Sequence, residues 1–343
     1  MRKIFLKQYL YISIITGLIS LQGCKLDAPI YPVSTVPNNL PVVDDVKKPY
    51  MVVSTLVKGL NTLPHPSRIC TTVDGTIYIT STIEGKVFKV TVAGLVTTLL
   101  KNVKKPLGIK ADRSGNVYVM LTGENKIAKI TPAGKSSILK INANINSAQD
   151  LAIANDGTLY IADTGNSRIL QVSPTGTVTT LAGKSAVFGL KDGKGEEAHF
   201  SYPTNIRLAS DGFLWVIDGD GSNNNQGKTI RRITSKGQVN TYFTQQNKEL
   251  SIQDIALAKI DKELNPSTVV NLFLVYSNNT VAHFATNGVQ TILAKITTPG
   301  HTDGDIISAQ FNKPSGISVN GSSVYITDEE NNALRKITVV KAN

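Results

Sequence analysis

The sequence predicts an all-β chain folded as a six-bladed propeller, and three observations carry that prediction. Apolar residues fall in short runs rich in Val, Ile and Thr, split by Asp-Gly and Pro-x-Gly turns, as strands of hairpins require. The pattern then recurs six times, at spacings of 40 to 62 residues. Finally, the last unit stops after three strands, while a strand like the missing fourth stands ahead of the first unit. The composition agrees. Of 343 residues 41% are hydrophobic and 18% charged, which excludes wholesale disorder. Two cysteines are too few for a disulfide scaffold.

The first segment, residues 1–23, reads as a leader rather than as fold. Arg2, Lys3 and Lys7 form a basic start, and Tyr9 to Leu21 is an apolar run too short to span a bilayer as a mature helix. It ends in Leu21, Gln22, Gly23 and Cys24, which resembles the bacterial lipobox, with Gln22 where Ala or Ser is more usual. That resemblance implies a lipidated Cys24, a lipid-anchored protein of the cell envelope in a diderm bacterium, and the membrane as one partner; acyl chains stabilise membrane residence by about 0.8 kcal/mol per buried methylene. Residues 24–49 then form a tether. Pro29, Pro32, Pro37 and Pro41 interrupt any periodicity, so the segment is expected to be extended, reaching ~60–70 Å at about 3.1 Å per residue. The formal charge of +11 falls to +8 once the leader's three cations are removed. Export, and the lack of an arginine-rich run or aromatic-basic motif, speak against a nucleic-acid partner. Cys70, in the apolar run Ile69–Val73, is expected to be a buried, inert thiol.

The propeller is expected over residues 50–343. Its clearest unit runs from Leu151 to Leu181 as four strands, with Asp156-Gly157 after the first and Pro174 to Gly176 after the third. Second strands recur at Ile77–Ile79, Val117–Val119, Leu159–Ile161, Leu214–Val216 and Val324–Ile326, and third strands at Val87–Val90, Ile127–Ile130, Ile169–Val172, Ile230–Ile233 and Leu334–Ile337. The fifth unit is degenerate. Leu257–Leu264 is taken as its first strand, without the glycine turn, followed by Leu272–Val275 and Val281–Phe284. A bare three-stranded last sheet would leave an open edge. Met51–Val57 is therefore expected to complete the final blade beside Leu334–Val339 and close the ring.

These units resemble NHL repeats, most closely in Tyr160 to Ile169 with its Asp163, Asn166 and Arg168. The resemblance covers roughly residues 50–343. Two inter-blade segments, Gly189 to Pro203 and Gly300 to Pro314, share a longer pattern found in exported bacterial NHL proteins. It implies the propeller fold but no single activity, since the family holds binding modules, sensors and enzymes.

In a propeller the residues opening each innermost strand face the channel mouth. Here these are Arg68, Gly108, Asp150, Asn205, Asp254 and Gly316, so Arg68, Asp150, Asn205 and Asp254 are the expected binding residues there. Six-bladed enzymes of the gluconolactonase type, which share the architecture, hold a divalent metal on oxygen ligands in such a mouth. By that likeness Asp150, Asn205 and Asp254 would suit Ca²⁺, and no other cofactor is expected. The alternative readings are that these polar groups cap blade edges and hold water, or that Arg68 neutralises the two carboxylates. Asp163, Asp218 and Asp328 end second strands and are expected to accept backbone N–H bonds in their own turns. NHL enzymes that cleave amidated peptide precursors use zinc on histidines; of His65, His199, His283 and His301 only His65 falls near the mouth, which does not make a three-histidine site. Gly193 to Ala198 matches a dinucleotide-binding pattern without the βαβ unit it needs. Long inter-blade loops on a stiff scaffold are where recognition usually sits, so His65, Phe188, Tyr202 and His301 are expected loop contacts, with Phe200 and Phe311 filling gaps between blades. The expected function is a membrane-anchored binding module for a protein, peptide or glycan, with a metal-dependent hydrolase or lyase in the same mouth as the alternative.

Overall fold

An amphipathic sheet must bury its apolar face against another, and here the sheets do so by stacking around an axis. The computed structural model describes residues 50–340 apart from 222–226, 248, 259–270, 285–289 and 295–297, and in it the strands form six antiparallel sheets. The leader, Cys24 and the tether lie outside the described residues. Strand β1 is Tyr50–Lys58. The first blade is β2 to β5 (Ile69–Thr71, Ile77–Ser81, Lys86–Val90 and Val96–Leu100), and the second is β6 to β9 (Pro106–Ala111, Val117–Leu121, Lys126–Ile130 and Ser136–Ile138). The third is β10 to β13 (Asp150–Ile153, Leu159–Asp163, Arg168–Val172 and Val178–Gly183). A two-residue strand β14 (Gly193–Lys194) precedes the fourth, β15 to β18 (Asn205–Leu208, Leu214–Asp218, Thr229–Ile233 and Gln238–Thr244). The fifth is β19 to β22 (Ile252–Ala258, Asn271–Tyr276, Val281–Phe284 and Gln290–Ala294). Another two-residue strand, β23 (Gly304–Asp305), precedes the last, β24 to β26 (Pro314–Asn320, Ser323–Asp328 and Ala333–Val340).

The innermost strands touch in the order β2, β6, β10, β15, β19, β24 and back to β2, which makes a closed ring. Closure is as expected: β1 runs antiparallel to β26, from Tyr50 opposite Val340 to Lys58 opposite Ala333. In the fifth blade the first strand is Ile252–Ala258, earlier than the expected Leu257–Leu264. No glycine turn marks its end, so the sequence offered no boundary.

Turns make this possible. Gly75, Gly115, Gly157 and Gly212 each adopt a positive φ between 77° and 88° in the turn from first to second strand, a region open to glycine without a Cβ clash. Strand direction then sorts the surface into two faces. Inter-blade loops and second-to-third turns share the mouth face; first-to-second and third-to-fourth turns share the opposite face, where β1 begins at Tyr50. Val73, Val92 and Leu95 stand 90%, 61% and 67% exposed in turns of that opposite face.

The core is six clusters, each shared by two neighbouring blades. Between the first and second blades lie Cys70, Tyr78 and Val87 against Ile109 and Val119. Between the last and first lie Val57, Tyr325 and Leu334 against Ile69, Ile79 and Phe88. Two interfaces carry an extra wedge, as expected: Phe200 fills the third–fourth gap and Phe311 the fifth–sixth gap, both fully buried.

Each wedge sits under a buried guanidinium. Arg231 lies over Phe200 and Arg335 over Phe311, with ring centroids 5.2 and 4.9 Å away. Arg231 binds Asp218 and Asp192 at 3.0 and 2.9 Å, and Asp192 accepts Thr241 N–H and hydroxyl bonds from β18 at 2.9 Å each. The same arrangement repeats at the ring closure: Arg335 binds Asp328 and Asp303 at 2.8 and 2.7 Å, and Asp303 accepts the Thr55 N–H and hydroxyl from β1 at 2.9 Å each. The two-residue strands follow from these clamps, since β14 pairs with β18 and β23 with β1. Phe311→Ala is expected to lower stability by about 3–5 kcal/mol, whereas Leu60→Ala, at a residue 58% exposed, stays within about 0.5 kcal/mol; urea unfolding midpoints read both.

Candidate functional site at the propeller mouth

Six innermost strands entering side by side bring their first residues together, and just above them lies a recess of about 370 Å³. Arg68, Gln149, Tyr202, Thr204, Gly227, Ser251, Ile252 and Gln253 line it, from the first, third, fourth and fifth blades. Its side chains are already partly organised. Gln149 Nε2 donates to the Tyr202 hydroxyl at 3.1 Å, and Gln253 Nε2 to Ser251 Oγ at 2.8 Å. Arg68 Nη1 donates to the Ser315 carbonyl across the first–sixth interface. No carboxylate is paired with Arg68 among the described residues.

Of the residues expected at the mouth, Arg68 lines this recess. Asp150, Asn205 and Asp254 lie beneath it, each at most 1% exposed. The sequence reading missed what holds them. Arg207 Nη1 pairs with Asp150, Arg207 Nη2 reaches Asp254 Oδ1 at 2.5 Å, and Lys110 Nζ reaches Asp150 Oδ1 at 3.0 Å. The neutralising cations are thus Arg207 and Lys110 rather than Arg68. Each carboxylate also ties two blades: Asp150 accepts Ile206 N–H at 3.1 Å, and Asp254 accepts Ile317 N–H at 3.0 Å and Asn205 Nδ2 at 2.9 Å. Gly108 leaves room for this, since a Cβ there would stand 2.3 Å from Asp150 Oδ1. Burial raises the Asp150 pKa, but Lys110 and Arg207 outweigh it and hold the carboxyl below its usual value. Burial, and then Arg207, lower the Lys110 pKa. A signal was present: Lys110 and Arg207 stand two residues beyond Gly108 and Asn205, on the same face of their strands.

This donor set does not fit Ca²⁺. Both oxygens of Asp150 and of Asp254 already accept from a cation or an N–H, and a shell at about 2.3–2.6 Å would have to displace the Arg207 guanidinium. Among the described residues no three His, Cys, Asp or Glu side chains gather as a metal site.

The other expected residues scatter. Tyr202 reaches the recess; His65, Phe188 and His301 do not line it. His65 donates its N–H to Asn332 Oδ1 at 2.9 Å, Phe188 is 61% exposed, and His301 is exposed in its loop. Cys70 is free and buried, and burial pushes its thiol up to about 12. Asp163, Asp218 and Asp328 do accept N–H bonds, but chiefly from the incoming inter-blade loop rather than from their own turns: Asn146, Tyr202 and Asn312 donate at 2.8, 2.7 and 2.7 Å. An arginine on each third strand completes the set, Arg168 at 2.8 Å from Asp163 and the two arginines of the clamps.

Residues 146–172, the incoming loop and first three strands of the third blade, match the NHL repeat model. The chain is a six-bladed propeller that carries an NHL repeat in its third blade. No curated protein matches the sequence. Among solved structures, an auxiliary nutrient binding protein from Bacteroides thetaiotaomicron is similar at 16% identity, over 85% of this chain and 77% of that one, with a TM-score of 0.67. Virginiamycin B lyase from Staphylococcus aureus is similar at 19% identity, over 84% and 100%, at 0.57. A gluconolactonase from Xanthomonas campestris is similar at 14% identity, over 86% and 91%, at 0.58. Such identities establish likeness of fold alone.

Two outcomes follow for this propeller. Arg207→Met, which strands two buried carboxylates, is expected to cost about 3–5 kcal/mol. Adding Asp150→Asn and Asp254→Asn should recover part of that loss in denaturant unfolding. His283, 2% exposed and packed on Phe273 at 5.1 Å, has its pKa lowered to about 4 by burial. Its unfolded form takes a proton near 6.5 and its folded form near 4, so stability is full above about pH 6.5 and falls by about 3 kcal/mol as pH drops toward 4. His283→Phe should flatten that slope in melting temperatures measured from pH 4 to 7.

Proposed function

We propose that this NHL propeller is a membrane-anchored, extracytoplasmic binding module that holds a protein, peptide or glycan in its mouth recess. One observation carries the reading. The recess is walled by amides, hydroxyls and one arginine, and it rests on an ionic floor whose carboxylates are engaged by Arg207, Lys110 and backbone N–H groups. Such a lining recognises polar ligands through hydrogen bonds, while the groups that hydrolysis or elimination would draw on, a general base or a metal's oxygen cage, are committed to structure. The nutrient-binding name of a structural neighbour points the same way. The anchor rests on the lipobox-like Leu21 to Cys24 and on the tether of residues 24–49. It puts the protein in the cell envelope, with the membrane as its fixed partner.

Two measurements test this. Radiolabelled palmitate should mark the wild-type chain and pellet with membranes, while Cys24→Ser should lose the label and become soluble. The purified chain should bind members of a glycan and peptide panel without turnover on lactone and ester panels. Turnover abolished by Arg68→Met would instead establish the hydrolase or lyase reading.

A further inference from the structure

Resting on the binding reading, we infer that the recess is an acidic-sugar site, with Arg68 receiving the carboxylate of a uronic-acid end residue. Charge bookkeeping across the mouth leads there. Beneath the recess two cations, Lys110 and Arg207, meet two carboxylates, Asp150 and Asp254, so the floor cancels. Lys228, beside lining residue Gly227, turns its Nζ to the Leu250 carbonyl at 2.5 Å and faces the charge of Asp220. Among the described residues Arg68 is the one charged side chain of the lining, and no ion pair among them involves it. Its Nη1 is fixed on the Ser315 carbonyl, which orients the planar fork and leaves the guanidinium's other N–H groups for a ligand. A half-buried guanidinium with an uncompensated charge is an anion site, and its fork matches a carboxylate in two parallel bonds.

The rest of the lining selects the class of anion. One guanidinium balances one negative charge, which suits a carboxylate better than a phosphate monoester carrying about −1.5 to −2. Gln149, Gln253, Thr204 and Ser251 offer paired donors and acceptors of the kind vicinal hydroxyls satisfy, and Tyr202 adds a ring with a polar tip already bonded to Gln149. Among the described lining residues Ile252 is the one aliphatic side chain and is itself 3% exposed, so little apolar surface is left there to read a peptide's side chains. The volume of about 370 Å³ lies at the small end of ligand sites, about 300–1,000 Å³, and suits a terminal sugar rather than a polymer laid flat.

The test is calorimetric titration of the purified chain with oligogalacturonides, with their methyl esters, and with tri-alanine as a peptide carboxylate. Wild type should bind the oligogalacturonides. Esterification and Arg68→Gln should each weaken binding roughly 10- to 100-fold, while Lys135→Gln, in a third-to-fourth turn of the opposite face, leaves it unchanged. Gln253→Ala serves as the second recess variant should Arg68→Gln unfold, and should also weaken binding. Equal affinity for acid and ester overturns the inference and leaves the binding reading standing. Binding of tri-alanine alone, or of none of the three probes, overturns it too. Turnover of lactones or esters is the separate result that removes the binding reading itself.

Discussion

Every blade of this protein depends on its neighbours, because each hydrophobic cluster is built from two adjacent sheets. A ring of such shared interfaces has no free end only if its first and last elements meet, and here they meet in one antiparallel pair, β1 on β26. That pair joins residues as far apart in sequence as Ser54 and Lys336. Loop-closure entropy rises only slowly with separation, so the long span is thermodynamically cheap. Its demand is kinetic, since folding slows as contacts become less local. The clamp of Arg335 on Asp328 and Asp303, with Asp303 holding Thr55, fastens the pair from outside the ladder. The same clamp around Arg231 fastens the loop between the third and fourth blades onto the fourth, so the closure uses a device the chain also employs elsewhere.

Buried ions serve the same end at the axis. Asp150 and Asp254 reach across to N–H groups of the next blade, and Arg207 spans both carboxylates. Replacing such a network with apolar side chains of like volume is often neutral in stability. Its use here is geometric: directional bonds fix how far each blade is turned about the axis, and that sets where Arg68, Gln149, Tyr202 and Gln253 converge.

The fold was legible in the sequence because its determinants are local and repeated. A positive-φ glycine such as Gly157 and a β-branched run such as Leu159–Ala162 announce a hairpin wherever they stand, and six copies announce a ring. The fifth blade's first strand was misplaced because that local mark is missing at its end. The mouth was legible by position, since Arg68 does open its strand at the recess. What could not be read was which cation each acid would find. A single arginine on a third strand, such as Arg231 or Arg335, looks like a surface residue until an inter-blade loop folds over it. Arg207 and Lys110 were within reach, one pleat further down strands already marked as channel-lining.

Strand β1 starts on the side away from the recess, so a chain leading back to Cys24 departs from the underside. The recess therefore opens on the face opposite the one where the described chain begins. Apolar tips at Val73, Val92 and Leu95 crowd that underside, so the two faces of the disc differ in chemistry as well as in shape.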